Sequence, residues 1–246
     1  MVSSYVRNKI RIARLLSPHI ATAKFMPVTL PFSRENLYRI TRRFPMVYLK
    51  PTAGCQSRGV IRVTQGSTGY LIRGINRSYN ALNNASLYEI LQRLTNGKWY
   101  IIQQGIDSED KRGIHFDVRV HLLRIDGRWI IGGMAARVAK PKGIVAGLHQ
   151  GGTAIPLHRL MKNHLDYGPS MQQQVESQLK EASLKAVNVV SKTVPRKKEM
   201  AVDMGIDRSN RVWIFEVNYA YPAIRLFGFA DPKLYRHLIF LKKKAR

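Results

Sequence analysis

Two carboxylates and an amide near the C-terminal end of the chain have the spacing of a metal site. Asp203, Glu216 and Asn218 lie on two β-rich segments joined by a turn centred near Ser209. Equal counting outward from that turn places Asp203 opposite Glu216, and the period of two puts Asn218 on the face of Glu216. Like charges that face each other destabilise a hairpin unless a cation lies between them. An all-oxygen set selects Mg²⁺ or Mn²⁺ rather than zinc, so the pattern predicts a divalent-metal site.

The alternative is an exposed polar face of an edge hairpin. The same alternation places Val212 and Ile214 on the face of Glu216, while Trp213 and Phe215 occupy the other face. Carboxylates among apolar neighbours favour the metal site over the polar face.

A second constellation joins a lysine to a glycine-rich loop. Lys50 ends a β-rich segment, and Gly54 and Gly59 follow in a loop whose backbone N–H groups could approach phosphate oxygens closely. The loop is not a Walker A motif, because a strand rather than a helix begins at Val60. Taken alone, the segment favours the alternative interpretation, a β-hairpin with a glycine-rich turn and a surface lysine.

The composition limits the classes of protein. The chain has 246 residues, 45% of them hydrophobic, which is typical of a globular protein. Neither a membrane-spanning run nor an apolar leader is predicted, and the single cysteine, Cys55, cannot close an internal disulfide, so a cytoplasmic location is expected. The 41 Lys and Arg against 15 Asp and Glu give a net charge of +26. Such a field favours anionic partners or is merely a solvated basic surface. No histidine spacing indicates zinc, and no nucleophile motif occurs.

The elements that must position these residues alternate between strands and helices. Ser86 is predicted to cap a helix that extends through Leu94, and Asp126–Gly127 indicates a hairpin turn. The other predicted elements are helices over 9–16, 170–191 and from Asp231–Pro232, and strands over 46–50, 60–63, 69–73, 99–103, 117–125, 129–137, 201–205 and 212–218.

The order of these motifs resembles the ATP-grasp superfamily. The resemblance implies that Lys9, in Arg-Asn-Lys-Ile-Arg, and Lys50 bind ATP phosphates beneath a loop running from Gly54 to Gly59. Asn8 stands where this superfamily usually has Asp. The segment Tyr-Ile-Ile-Gln-Gln-Gly-Ile resembles the hinge whose backbone binds adenine. The resemblance therefore adds these residues to the ATP site: Gln103, Gln104, Ile106 and Asp107.

The middle of the chain is similar to RimK-type amino-acid ligases. Phe-Asp-Val-Arg, which contains Asp117 and Arg119, matches one of their strands, and Arg137 precedes a Gly-Leu-His-Gln-Gly-Gly segment in which Gly147 replaces the usual Asn. The likeness implies that Asp117 belongs to the ATP site and that Arg119 and Arg137 stabilise the transferred phosphoryl group or a substrate carboxylate. Lys-Pro-x-x-Gly-x-x-x-x-Gly-Val, Phe-Asp-Val-Arg and Glu-Val-Asn most resemble the YheC/YheD group of endospore-coat-associated proteins. In this group Asp203, Glu216 and Asn218 would be the Mg²⁺ ligands.

The resemblance implies an α+β ATP-grasp fold over residues 1–246, with two sheet-containing lobes clasping ATP. The smaller lobe is expected at about 20–103, and the larger at about 107–246 together with the N-terminal helix. Because Lys9 lies almost at the start, the usual N-terminal pre-ATP-grasp domain is expected to be missing.

The expected function is a carboxylate–amine ligase that uses ATP and Mg²⁺ (or Mn²⁺), acts through an acyl phosphate and is associated with the developing spore coat. Its partners would be ATP, an unidentified carboxylate and amine, and a spore-coat protein or acidic polymer. One alternative is a non-catalytic ATP-binding module of the spore. Another is a basic nucleic-acid-binding protein, although no RNA-recognition aromatic pair or zinc finger supports specific nucleic-acid binding.

Overall fold

A computed structural model describes residues 9–54 and 56–245. Arg7, Asn8 and Cys55 lie outside the described residues. The chain divides into two compact units. The first contains residues 9–13 and 27–106, and the second contains residues 14–26 and 107–245. Within the described ranges no helix is both long enough and apolar enough to cross a membrane.

The first unit is built on an antiparallel six-stranded sheet in the order β1-β6-β2-β3-β4-β5. Helix α1 begins in this unit and its last three residues are assigned to the second unit, and helices α2 and α3 accompany the sheet. Their bounds are α1 (Lys9–Leu16), β1 (Thr29–Pro31), α2 (Arg34–Thr41), β2 (Met46–Pro51), β3 (Ile61–Gly66), β4 (Gly69–Arg73), β5 (Ser78–Ala81), α3 (Asn84–Thr95) and β6 (Tyr100–Gln104).

Apolar side chains of α2 and α3 form one core with this sheet. Leu37 and Leu91 are fully buried and belong to the same cluster as Leu49, Ile72 and Ile102 from the strands. Fully burying a side chain of this size stabilises the fold by about 1.5–3 kcal/mol, so this cluster holds the sheet that carries Lys50.

The start of α3 corrects one prediction. Ser86 is not the N-cap; Asn83 is, and its side chain accepts a hydrogen bond from the backbone N–H of Ser86 at 3.0 Å. The Ser86 hydroxyl in turn accepts from the backbone N–H of Asn83 at 3.3 Å. The capping box is therefore Asn83 with Ser86, and the cap lies about one turn earlier than the predicted cap at Ser86.

The second unit contains an antiparallel five-stranded sheet in the order β11-β10-β7-β8-β9. Helix α5 packs against β7, β8, β10 and β11, and α6 and α7 pack against β8. The bounds are β7 (Phe116–Ile125), β8 (Arg128–Val138), β9 (Thr153–Pro156), α4 (Leu157–Arg159) with a π-helical turn (Leu160–His164), α5 (Pro169–Ser191), β10 (Glu199–Ile206), β11 (Val212–Asn218), α6 (Arg225–Ala230) and α7 (Pro232–Lys244).

Two consecutive glycines in β8 allow α7 to approach the sheet closely. A β-carbon at Gly132 would lie 2.5 Å from a methyl carbon of Leu238, and one at Gly133 would lie 3.0 Å from Leu234. The β7–β8 register shifts just beyond His121, which lies opposite Gly133. Because these two positions of β8 carry no side chains, α7 packs directly against the backbone of the strand.

Candidate functional site

The two candidate lysines lie in the first unit, Lys50 near the end of β2 and Lys9 at the start of α1. Lys50 Nζ donates a 2.6 Å hydrogen bond to Gln103 Oε1, and Gln103 Nε2 donates to Thr29 Oγ1 at 2.9 Å. The backbone N–H of Lys9 donates to the carbonyl oxygen of Thr52 at 3.2 Å. This bond brings the first lysine beside the strand end that carries the second, which sequence spacing alone could not have revealed.

The glycine-rich loop needs its glycines. Gly54 has φ +157° and Gly59 has φ +73°, a region that favours glycine. A β-carbon at Gly59 would lie 2.8 Å from the Tyr100 hydroxyl and 3.1 Å from Pro51 Cγ. The loop therefore returns tightly against the sheet, with its backbone close to the strand that carries Lys50.

The segment predicted as the adenine-binding hinge spans the boundary between the two units, which falls after Ile106. Gln104 Oε1 accepts from the backbone N–H of Val28 at 3.2 Å, and Ile106 is buried. Asp107 forms an ion pair with Arg208 in the second unit. Thus the side chains of Gln103, Gln104 and Asp107 are engaged within the protein.

The second unit carries a buried charge network across β7, β8 and β10. Arg119 lies directly opposite Asp203 and donates to both of its carboxylate oxygens, from Nε at 2.7 Å and from Nη2 at 2.8 Å. Arg137 lies opposite Asp117 and donates to both of its oxygens at 2.6 and 2.8 Å. Arg137 Nη2 also approaches Asp203 Oδ2 at 3.1 Å. Two carboxylates thus bind two guanidinium groups on one sheet face.

Both arginines keep donors for an anion. Their Nε and Nη2 atoms bind the aspartates, and within the described part of the chain no hydrogen bond engages Nη1 of either Arg119 or Arg137. A guanidinium held side-on by a carboxylate is fixed in orientation, so its remaining N–H groups are preorganised for a phosphate or carboxylate.

The two buried aspartates differ in their acidity. Burial alone would raise the pKa of Asp203, but the neighbouring Arg119 and Arg137 outweigh it and hold that pKa below its usual range. Burial raises the pKa of Asp117 above its usual range, and its pairing with Arg137 offsets this only in part. Burial would lower the pKa of Arg137, but the two carboxylates raise it above its usual value.

The three predicted metal ligands come together as the hairpin register requires. Asp203 is paired with Glu216, and Ala201 is paired with Asn218. Asn218 Nδ2 donates to Asp203 Oδ2 at 3.2 Å, so the amide is oriented by the carboxylate and its carbonyl oxygen is left for another partner. The described residues contain no group of three His, Cys, Asp or Glu side chains suited to a metal. The donor set fits Mg²⁺ only if other oxygens, such as those of a nucleotide phosphate, complete the coordination.

A β-bulge corrects the faces assigned to this hairpin. The β10–β11 register shifts between Asp203 and Met204, which pairs with Ile214. On β11, Val212, Ile214 and Val217 are buried, whereas Glu216 is only half-buried. Because the bulge inserts an extra residue, Glu216 and Ile214 lie on opposite faces. The apolar surroundings expected for Glu216 from Val212 and Ile214 are therefore wrong.

The remaining predicted segment, residues 147–152, lies between β8 and β9. Leu148–Gln150 forms a 3₁₀ turn that ends at Gly151 in the left-handed region. A β-carbon at Gly152 would lie 2.4 Å from the carbonyl oxygen of Ala146. The final Gly-Gly pair is therefore required by this turn itself.

Sequence reasoning missed one buried polar group close to this network. His121 is fully buried two residues after Arg119, its Nε2 lies 2.9 Å from Glu199 Oε1, and its Nδ1 has no partner within the described residues. Period-two alternation along β7 puts His121 on the face of Asp117 and Arg119. Nothing in the sequence linked it to Glu199.

Comparisons with known proteins agree with this architecture. The family model described as YheC/D like ATP-grasp matches residues 1–241. The endospore coat-associated protein YheD of Bacillus subtilis (strain 168) is 28% identical over 219 residues, which are 86% of this chain and 47% of that protein. The chain thus spans about half the length of this curated relative.

Two solved structures share the fold. The D-cycloserine synthetase DcsG has a TM-score of 0.61 at 15% identity, over 98% of this chain and 71% of its own. An L-amino acid ligase from Bacillus licheniformis has a TM-score of 0.54 at 14% identity, over 87% of this chain and 40% of its own. The α+β ATP-grasp fold that the sequence predicted is confirmed.

Proposed function

Because the chain belongs to the YheC/D-like ATP-grasp family, which implies ATP binding, we propose that it is an ATP-dependent ligase that joins a carboxylate to an amine. One observation carries the proposal. Arg119 and Arg137 are buried and fixed side-on by Asp203 and Asp117, with donors left for an anion. Such preorganised cations suit a reaction in which negative charge moves between phosphate and carboxylate groups.

The reaction that we propose has two steps. A substrate carboxylate oxygen attacks the γ-phosphorus of ATP, which releases ADP and forms an acyl phosphate. An amine then attacks the acyl carbon, loses a proton to solvent and expels inorganic phosphate, leaving an amide. Arg119 and Arg137 would hold the transferred phosphoryl group or the substrate carboxylate through their Nη1 atoms.

Residues of the first unit would bind the phosphate chain of ATP. Lys9 and Lys50 supply point charges, and the loop from Gly54 to Gly59 supplies backbone N–H groups. Lys50 is held by Gln103 at 2.6 Å, so its ammonium group is already positioned before nucleotide binds. The adenine contacts would come from the backbone near Gln104 and Ile106.

The metal ligands that we propose are Asp203, Glu216 and Asn218. Mg²⁺ (or Mn²⁺) bound there would neutralise part of the phosphate charge. Asn218 fits this role because its Nδ2 is engaged by Asp203 at 3.2 Å, which leaves its amide oxygen without a hydrogen-bond donor among the described residues.

The name of YheD supports a location at the developing spore coat, with a coat protein or acidic polymer as partner. That name also favours a second candidate function, a non-catalytic ATP-binding module of the spore. Such a module would bind ATP without turning over any carboxylate.

The test is product analysis with ATP, Mg²⁺ and a panel of amino acids, dipeptides and peptidoglycan fragments. We expect ADP and phosphate, and a hydroxamate when hydroxylamine is added to trap the acyl phosphate. Glu216→Gln should abolish the hydroxamate, whereas Glu176→Gln, which changes a partly exposed carboxylate on α5, should not. AMP as product would exclude the acyl phosphate, and bound ATP without turnover across the panel would favour the non-catalytic module.

A further inference from the structure

A basic cleft of about 350 Å³ lies in the second unit, at the end of the β7–β8 hairpin. Its lining combines the hairpin, the loop between α5 and β10, and the end of α7. The strand from Arg119 to Arg124 spans about 17 Å, so the cleft is separate from the charge network described above. The lining residues are Arg124, Asp126, Gly127, Pro195, Arg196, Lys198, Lys244 and Ala245.

Arg124 ties the walls of this cleft together. Its backbone N–H donates to the carbonyl oxygen of Lys198 at 2.8 Å, and its Nε donates to that of Gly127 at 3.2 Å. Its Nη1 donates to the carbonyl oxygen of Pro195 at 3.1 Å. The guanidinium is therefore fixed by neutral acceptors, which leave its charge uncompensated and its other N–H groups available.

The cations of the cleft outnumber its carboxylates. Arg196, Lys198 and Lys244 are exposed, and no ion pair joins them or Arg124 to a carboxylate among residues 9–54 and 56–245. Asp126 is the single acidic residue of the lining. By contrast, the neighbouring Lys242 pairs with Glu199 at 2.6 Å. Converging like charges repel one another unless an anion lies between them.

The rest of the lining indicates what kind of anion fits. Gly127, Pro195 and Ala245 are the uncharged members of the lining, which itself offers neither an aromatic ring nor a large apolar surface. The exposed ring of Phe240 lies outside the lining, where it contacts the Lys244 ammonium group at 4.6 Å. A single phosphate carries too little charge to balance the four cations against Asp126. We propose that this cleft binds a compact anion with several phosphate groups, such as an oligophosphate, at a site separate from the ATP site.

The test uses inorganic tripolyphosphate and isothermal titration calorimetry. The ATP site is first saturated with a non-hydrolysable ATP analogue and Mg²⁺, so that the tripolyphosphate measured binds elsewhere. The cleft variant is Arg196→Gln with Lys198→Gln and Lys244→Gln, which leaves Arg124 and its structural bonds intact. We expect tripolyphosphate affinity to fall by about tenfold or more, because removing even one charge-assisted hydrogen bond to the anion costs roughly that factor.

The matched control removes three exposed cations elsewhere, Arg39, Arg42 and Arg93, each replaced by Gln. It lowers the net charge equally and should keep wild-type affinity for tripolyphosphate. Equal losses in the two variants would assign binding to the overall field and overturn the proposal. So would wild-type protein that does not bind tripolyphosphate, or a cleft that binds a short oligonucleotide but ignores tripolyphosphate. The cleft variant should bind the ATP analogue as wild type does, which separates this result from any failure of the ligase proposal.

Discussion

Arg119 and Asp203 face each other across β7 and β10, and the guanidinium donates to both carboxylate oxygens at 2.7 and 2.8 Å. The oxygen proposed as a metal ligand is therefore already bound by a buried cation. Arg137 adds a second contact to the same carboxylate at 3.1 Å. Because the charge of Asp203 is already neutralised, we expect binding of the metal to depend on binding of the nucleotide.

We predict that Mg²⁺ binds weakly without nucleotide. Asp117 and Asp203 are balanced by two arginines, so little negative charge remains to attract a metal until phosphate oxygens arrive. In thermal unfolding, Mg²⁺ alone should change Tm little, Mg²⁺-free ATP should raise it modestly, and Mg·ATP should raise it most. At ~100 Kd, Mg·ATP should add about 2.7 kcal/mol to the free energy of unfolding. Equal Tm shifts with and without metal would count against the proposed ligands.

We predict that Asp203→Asn destabilises the fold more than Glu216→Gln does. The first change leaves the buried Arg119 without its counter-charge, which costs about 3–5 kcal/mol in the free energy of unfolding. Glu216 is only half-buried, so its change should cost less than about 1 kcal/mol while weakening Mg·ATP binding. Urea denaturation measures both values. Comparable losses would mean that the Arg119–Asp203 pair contributes no special stability.

The stability difference between wild type and Asp203→Asn should depend on pH. The pKa of Asp203 in the folded state lies below its unfolded value near 3.8. Its contribution is therefore fully present above pH ~4 and is lost as pH falls through the folded pKa. Urea denaturation at pH 7 and pH 3 should show that the difference in free energy of unfolding between wild type and Asp203→Asn is smaller at pH 3. The effect of Asp117 on stability has the opposite sign, because its pKa is raised in the folded state. Ionisation of Asp117 therefore lowers the free energy of unfolding as the pH rises from the unfolded pKa to the folded pKa. A difference that widened at pH 3 would contradict the assignment for Asp203.

We predict that Lys50→Ala weakens ATP binding by about ten- to hundredfold, because a lysine held against phosphate makes a charge-assisted contact of roughly 1.5–3 kcal/mol. Lys192→Ala is the matched control, since Lys192 is exposed at the end of α5. Lys242 is less suitable because it pairs with Glu199. Calorimetry with an ATP analogue measures both variants. If the two variants lost affinity equally, the overall charge rather than Lys50 would be responsible.

We predict that Gly59→Ala weakens ATP binding while Gly97→Ala does not. Both glycines have positive φ, +73° and +68°, so both changes should cost roughly 1–2 kcal/mol of stability through backbone strain. A β-carbon at Gly97 would meet nothing within 4 Å, whereas one at Gly59 would meet Tyr100 and Pro51. Backbone strain should lower Tm in both variants, whereas displacement of the loop should lower ATP affinity in Gly59→Ala alone, so both quantities are measured for each variant. Unchanged ATP affinity in Gly59→Ala would argue that this loop does not contact phosphate.

The pairing of Asp203 with Glu216 could be predicted from the sequence because a hairpin fixes its register at the turn. The bulge beyond that pair could not, since residues 212–215 are all apolar and show no alternation in which a shifted phase would be visible. Alternation placed Asp117, Arg119 and His121 on one face of β7. The contact between Asp203 and Arg119 could not be predicted in the same way. It depends on the strand order β11-β10-β7-β8, in which segments about 80 residues apart in the sequence pair with each other. The cap of α3 was misassigned because Asn83 and Ser86 are both good caps, and local sequence does not choose between them.

The glycine pair Gly132–Gly133 affects how variation in this family should be interpreted. The position in which α7 packs on the sheet depends on these two residues of β8, which lie about a hundred residues earlier in the sequence. Relatives that carry side chains at those two positions should also have a shortened, shifted or missing C-terminal helix. Aligned sequences of α7 considered alone would show such changes as unrelated substitutions. Comparing them with positions 132 and 133 of β8 would show that the two sets of substitutions occur together.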